Sequence, residues 1–409
     1  MSSHEGCTLY LALPTLTTAT ATLFATNYDG NVYSLSLDTQ GGKHTLKQTH
    51  QLKTCGLAPS WLTVDTEHDL LWCLDESSPG SLTALTVGKD GELQESAKVA
   101  TLNGGVSSVI YGDKGNQFQA IAHYSGAAIS SFKIPFGNKE EVKPIYIQEF
   151  NLAVKGPKPG QEQSRPHQVF VDPKNSFLLS PDLGMDLVHV FRIDKQSGKL
   201  NDCMSPIEFD KGSGPRHGVF VTSGGNHTRQ LTVRHKGLPQ KPHAEHTRLY
   251  VVEELGYKLC PFDVSYAGDG CPKFKKLDCF TPYPGSALPV NATLSEIQAA
   301  GQNLYVSIRS DKKFEGKDSL ATLTLAKNGS VVLDGLHSSG GSVPRTFVLN
   351  QKGDLVAVGN QVSSNVVIVE RNPETGKLGK EVASLQVGKV GTPGKGDGLS
   401  SLVWYEKGC

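Results

Sequence analysis

The chain predicts an all-β fold, a seven-bladed β-propeller closed by its C-terminal strand, and three observations carry that prediction. Seven times along its 409 residues a short apolar strand ends on a polar residue, turns, and resumes as a second apolar strand. In phase with these hairpins runs a second series of apolar segments, each opened by a polar residue. The last of them, GLSSLVWYE, has no hairpin after it, whereas the first hairpin has no such segment before it. A repeat of roughly 40–50 residues made of strand and turn is one four-stranded blade. A ring completed by the C-terminal strand leaves no open sheet edge.

The hairpins read, in order, LFATNYDGNVYSLSL, LWCLDESSPGSLTAL, AIAHYSGAAISSF, LLSPDLGMDLVHVF, LYVVEELGYKLCPF, LYVSIRSDKKF with ATLTL, and VAVGNQVSSNVVIV. Aligned, they place Asn27, Asp75 (or its neighbour Glu76), His123, Asp182, Glu254, Arg309 and Asn360 at one structural position. The accompanying segments read as innermost strands whose first polar residues, Ser60, Ser107, His167, Arg216, Glu296, Arg345 and Ser400, point at the central channel. Residues 153–166 break the rhythm as a loop at the channel rim, and residues 223–248 and 264–295 lengthen the fifth blade.

Length alone would allow two or three domains, but uniform repeats that stack without linkers make residues 1–409 one domain. Forty basic and forty acidic residues, with no block of like charge, lack the footprint needed for nucleic acid. No apolar run is long enough to span a membrane. Residues 7–25 follow His4 and Glu5 rather than a basic cluster and merge into the first hairpin, so they read as blade strand and not as a signal peptide.

Eight cysteines show neither a CxxC pair nor zinc-ligand spacing, which reads as free thiols in a cytoplasmic protein. Against this stand three glycosylation sequons, at Asn226, Asn291 and Asn328, and the close trio Cys260, Cys271 and Cys279, which could form a disulfide in a secreted protein. His243 and His246 lack a helix to present them together, so no metal is assigned.

The two ladders bring His167, Arg216, Glu254 and Arg309 toward one axial funnel, with Glu76, Asp182, Glu296, Arg345 and His123 around them. A proton carrier, a clamp for an anion and a carboxylate are what an active site assembles. Taken singly, an inner-strand histidine is more often a satisfied core residue, Asp182 before Leu-Gly suits a turn, and Arg/Glu pairs across blades can be structural. The set together points to a site, with His167, Glu254, Arg216 and Arg309 as its reactive members and the other five in substrate contact.

The stretches PHQVFVDPKNSFLLSPDLGMDLVHVFRIDKQSGKL, GSGPRHGVF with RLYVVEELGYKLCPFDV, and RTFVLNQKGDLVAVGNQVSSNVVIVERNPETGKL resemble the repeats of the seven-bladed lactonase family. That family includes bacterial 6-phosphogluconolactonases of propeller type and a fungal 3-carboxy-cis,cis-muconate lactonizing enzyme, whose C-terminus LSSLVWYE is similar to. The resemblance implies a metal-independent enzyme without cofactor that takes a small lactone or polycarboxylate, with His167, Arg216, Glu254 and Arg309 in substrate binding and proton transfer. Three candidate arginines favour an anionic substrate. Lactone hydrolysis is expected, with ring closure of a carboxymuconate, or ligand or protein binding without turnover, as alternatives. Val106-Ser107-Ser108 and His123-Tyr124 depart from the Cys-His and Asn-Tyr that relatives carry, which bears on substrate identity.

Overall fold

The structure is a computed structural model that describes residues 19–136, 142–223, 246–266, 268, 270–326 and 330–406. Seven antiparallel sheets form the ring, six of four strands and one of five. From the first blade to the seventh, the innermost strands are Leu399–Tyr405, Pro59–Asp65, Gly105–Asp113, Phe170–Val171, Pro215–Ser223, Thr293–Ala300 and Pro344–Leu349. Their partners, in the same order, are Ala19–Asn27, Leu70–Asp75, Asn116–His123, Phe177–Asp182, His246–Glu253, Asn303–Arg309 and Leu355–Asn360.

Each blade's second strand is buried on both faces, as continuous apolar runs require. In the first blade Phe24 packs toward the second blade, with Leu62 and Leu71, while its neighbours Leu23 and Ala25 pack toward the seventh, with Ala357 and Val366. The alternation repeats around the ring, so seven apolar clusters fill the seven interfaces between blades. Closure does not remove every edge, because each blade keeps an outermost strand: Lys43–Lys53 is mostly exposed and polar, and its three lysines blunt it as an edge. The closure is as expected: Leu23 faces Trp404, Ala25 faces Leu402 and Thr26 faces Ser401, inside a sheet begun by the opposite end of the chain. The strand at the head of the chain starts at Ala19, so residues 7–18 of the expected blade segment lie outside the described residues.

Inner strands open with a bulge, and that bulge corrects the two ladders. In the second blade Pro59 pairs with Asp75 and Trp61 with Leu74, leaving Ser60 unpaired. The same step leaves Val106, Arg216, Arg345 and Ser400 unpaired. The channel-side position expected for Ser107 therefore belongs to Val106. In the sixth blade Leu294 pairs with Ile308 and Ile297 with Val306, which gives Ser295 the place expected for Glu296. A single inserted residue turns the following side chain to the other face.

The cysteine reading is also corrected. Cys55 pairs with Cys73, Cys203 with Cys271 and Cys260 with Cys279. Two members of the noted trio do bond to each other, and the third ties the fifth blade to the fourth. Among the described residues no helix is long and apolar enough to cross a membrane. His227, His235 and His243 lie outside the described residues, and His246 approaches Asp263 at 3.3 Å.

Candidate active site

The blade tops present two adjacent rows of residues. Strand ends form the first: Asn27, Asp75, His123, Asp182, Glu253, Ile308 and Asn360, each opposite the residue just before the bulge. The next residues form the second: Tyr28, Glu76, Tyr124, Leu183, Glu254, Arg309 and Gln361. Six of these donate their backbone N–H to a carbonyl two residues ahead of the bulge, at Gly398, Ala58, Gly104, Arg165, Gly214 and Val343. Arg309 pairs with Thr293, the equivalent position in its blade. Every blade thus fixes one second-row side chain at the mouth of the channel, over the bulge row of Ser60, Val106, His167, Arg216, Ser295, Arg345 and Ser400.

First-row polar residues spend their side chains within the blades, and the two aspartates spend theirs on the turn. Asp182 is buried, and its Oδ1 accepts from the amides of Arg165, Gly184 and Met185, while Oδ2 accepts from Ser164 at 2.5 Å and meets His189 at 3.1 Å. Asp75 binds Ala58 and Ser77 in the same way. His123 is fully buried against Ser130, and burial pushes its pKa down to about 4. Neither Asp182 nor His123 is brought to the funnel.

The second and bulge rows do converge. Arg216, 1 % exposed, donates through Nη1 to the Ser295 carbonyl at 2.8 Å, and its Nε lies 2.8 Å from Glu254 Oε2 without the N–H pointing along that contact. Glu254 Oε1 meets Arg309 Nη1 at 3.5 Å. The remaining Arg309 donors, Nε and Nη2, are buried without a partner among the described residues. Burial, with Arg216 beside it, pushes the Arg309 pKa down to about 9, so the group stays a cation that is poorly solvated and half satisfied. Arg345 stacks over the Tyr28 ring at 5.6 Å, and the Tyr28 hydroxyl donates to Glu76 at 2.5 Å. From the rim loop Arg165 lies 4.7 Å over the Tyr124 ring.

Beneath them His167 is buried, with Nδ1 unpartnered among the described residues and its ring edge-on to Tyr124 and His217. Burial, then the neighbouring guanidiniums of Arg216, Arg345 and Arg309 and the adjacent His217 ring, which burial itself keeps neutral, hold its pKa well below the ordinary histidine value, so the ring is neutral. Glu296 sits one layer deeper and meets His217 Nδ1 at 3.0 Å. The sequence reading passed over Tyr28, Tyr124 and His217. All three were legible: a tyrosine follows the strand-end residue in two hairpins, and His217 completes GPRH.

Among the described residues Glu253, Cys260 and Cys279 approach one another as metal ligands do, but the two sulfurs are bonded to each other. Among the described residues the funnel's chemistry is that of cations, carboxylates and phenols around the adjacent imidazoles of His167 and His217.

The ring of seven blades defines a class, the seven-bladed β-propellers. Within that class the family is specific: the family model "Lactonase, 7-bladed beta-propeller" matches residues 16–392, and the chain belongs to that family. Among its relatives, an Arthroderma benhamiae protein named "Probable 6-phosphogluconolactonase" is 27% identical across 86% of this chain and 83% of its own. The Bacillus subtilis 6-phosphogluconolactonase is 22% identical, covering 85% of this chain and 89% of the relative. A solved periplasmic gluconolactonase from Pseudomonas aeruginosa superposes with a TM-score of 0.71 at 20% identity, over 95% of this chain and all of the other, a likeness of fold.

Proposed function

We propose that this chain hydrolyses a small lactone carrying a negative charge, at the funnel of Arg216, Arg309, Arg345, Glu254 and His167, without a metal. One observation carries the anionic substrate: the two Arg309 donors left buried and unpartnered, in a pocket where three guanidiniums meet the carboxylates Glu254 and Glu76. A buried, half-satisfied guanidinium is stabilised by an arriving anion, and its planar fork fits a carboxylate or phosphate.

In this reading His167, neutral at working pH, takes a proton from water as its oxygen attacks the lactone carbonyl. Arg309 and Arg345 stabilise the oxyanion. The ring C–O bond then breaks, and the imidazolium returns its proton to the departing alkoxide. Two arginines already share Glu254, so its role is to hold them in place. Glu76, tethered by Tyr28, orients the substrate's hydroxyls or the water.

The names of the relatives favour hydrolysis over ring closure. Three disulfides favour an oxidising compartment over the cytoplasmic location that the cysteine spacing suggested. The test is acid release by pH-stat on aldonolactones, 6-phosphogluconolactone and muconolactones, with ultraviolet detection of carboxymuconate loss alongside. Acid release, reduced about tenfold or more by Arg309→Lys, is expected. Diene loss alone would mean ring closure, silence in both assays would mean a binding propeller, and full activity of Arg309→Lys would remove Arg309 from the site.

A further inference from the structure

The mechanism above makes no use of the layer beneath His167. There His217, 1 % exposed, lies with Nδ1 3.0 Å from Glu296 Oε1, and Glu296 is itself buried. The same carboxylate oxygen accepts the Ile297 amide at 3.0 Å. A carboxylate cannot donate, so the Nδ1 proton belongs to His217, and its Nε2 carries a lone pair. That Nε2 is buried and has no hydrogen-bond partner among the described residues. The His217 ring packs at 5.2 Å from His167 on one side and at 6.0 Å from Trp61 on the other.

The surroundings of His167 pose an electrostatic problem. Arg216, Arg345 and Arg309, all cations, act on it together with the His217 ring, and Tyr124 faces it as a neutral phenol. His217 is influenced by Glu296, Arg216 and Arg309. When His167 takes up a proton it becomes a fourth cation in a dry site, while Glu254 is already shared by two arginines. A negative charge one ring away offsets part of that cost, since Coulomb interactions act over such distances where water is excluded.

We propose that His217 and Glu296 form a positioning dyad for His167: the carboxylate fixes the His217 tautomer and, through that ring, favours the imidazolium that forms during water attack. The proposal rests on the reading of His167 as proton carrier. It is the orienting logic of a carboxylate behind a histidine, here displaced by one ring from the reacting group.

Glu296→Gln tests it, because glutamine keeps the size and the acceptor for the Ile297 amide while removing the charge. The variant is expected to lose about 10- to 100-fold in kcat, with KM changed less than about twofold. The acidic limb of its kcat/KM profile moves to lower pH, since loss of a nearby negative charge lowers the His167 pKa further. The double variant His217→Gln/Glu296→Gln, whose two amides can bond to each other, is expected to be no worse than Glu296→Gln alone, because the pair acts as one unit. A kcat within twofold of the parent, a loss lying wholly in KM, or additive losses in the double variant would overturn the dyad.

A readout without substrate separates failure of the dyad from failure of the lactonase reading. In nitrogen-15 histidine spectra, with assignments from His217→Gln and His167→Gln, His217 is expected to carry its proton on Nδ1, and Glu296→Gln to shift the His167 ring signals. A proton on His217 Nε2, or unmoved His167 signals, would sink the proposal even if the parent hydrolyses lactones. The expected spectra with no turnover on any lactone would leave the dyad's geometry standing and overturn its part in catalysis.

Discussion

Glu253 and Glu254 are consecutive, share a chemistry, and have opposite fates. Glu254 faces the funnel between Arg216 and Arg309. Glu253 points back into the blade, 2 % exposed, with Oε1 3.0 Å from Cys260 Sγ. Burial pushes its pKa up to about 7. Since a disulfide sulfur carries no hydrogen, only the protonated acid makes that contact a hydrogen bond. The difference lies in register: the strand-end acid is held inside its blade, and the residue after it faces the funnel. Position relative to the bulge, more than residue type, decides which acid is available for chemistry.

The largest effect that would sharpen this contrast is in the second row. Glu254→Gln removes the counter-charge that sets Arg216 and Arg309, and is expected to lower kcat/KM by about 10²-fold or more per folded molecule, beside a loss of stability from the two buried cations left without it. Turnover equal to the parent's would place Glu254 outside the machinery.

In the first row the loss should fall on stability instead. Asp182→Asn leaves a carboxamide facing the amides and hydroxyl that the carboxylate now satisfies, at a cost of about 2–4 kcal/mol. Activity per folded molecule should hold. A stable but inactive Asp182→Asn protein would return Asp182 to the site and break the division between rows.

Glu253→Gln gives the smallest effect, of opposite sign. An acid whose folded pKa is raised loses stability as pH climbs from its unfolded value near 4.5 toward about 7, because the folded state holds the proton more tightly. The amide lacks that penalty, so its stability relative to the parent, followed by melting temperature, should improve between pH 5 and pH 8 by about 1–3 kcal/mol. A difference independent of pH would show that Glu253 does not titrate in that window.

Much of the fold was legible because burial on both faces writes itself as apolar runs, and seven such runs at comparable spacing have few other solutions. The closure could be read from one unmatched segment at each end. Register could not, because a bulge adds a residue without any composition of its own: proline opens four of the inner strands, but Gly105, Leu294 and Leu399 stand at the same step in the others. Hence Ser107 and Glu296 were placed one residue off, and Asp182 and His123 were put beside Glu254 although they occupy the other row. Disulfide partners were hidden for another reason. Cys203 and Cys271 are 68 residues apart and meet only after two blades have packed.

The pairing of Leu399–Tyr405 with Ala19–Asn27 sets the order of events during synthesis. The opening blade waits, one strand short, while six later blades emerge, because its missing member follows them in the chain. Local hairpins can form early, but the contact that locks the ring joins residues more than 370 positions apart, the slow, nonlocal kind. Until then the nascent chain shows an unpaired strand whose natural partner any similar segment can imitate, so the time spent incomplete governs how much of this protein reaches its native form or is lost to aggregation.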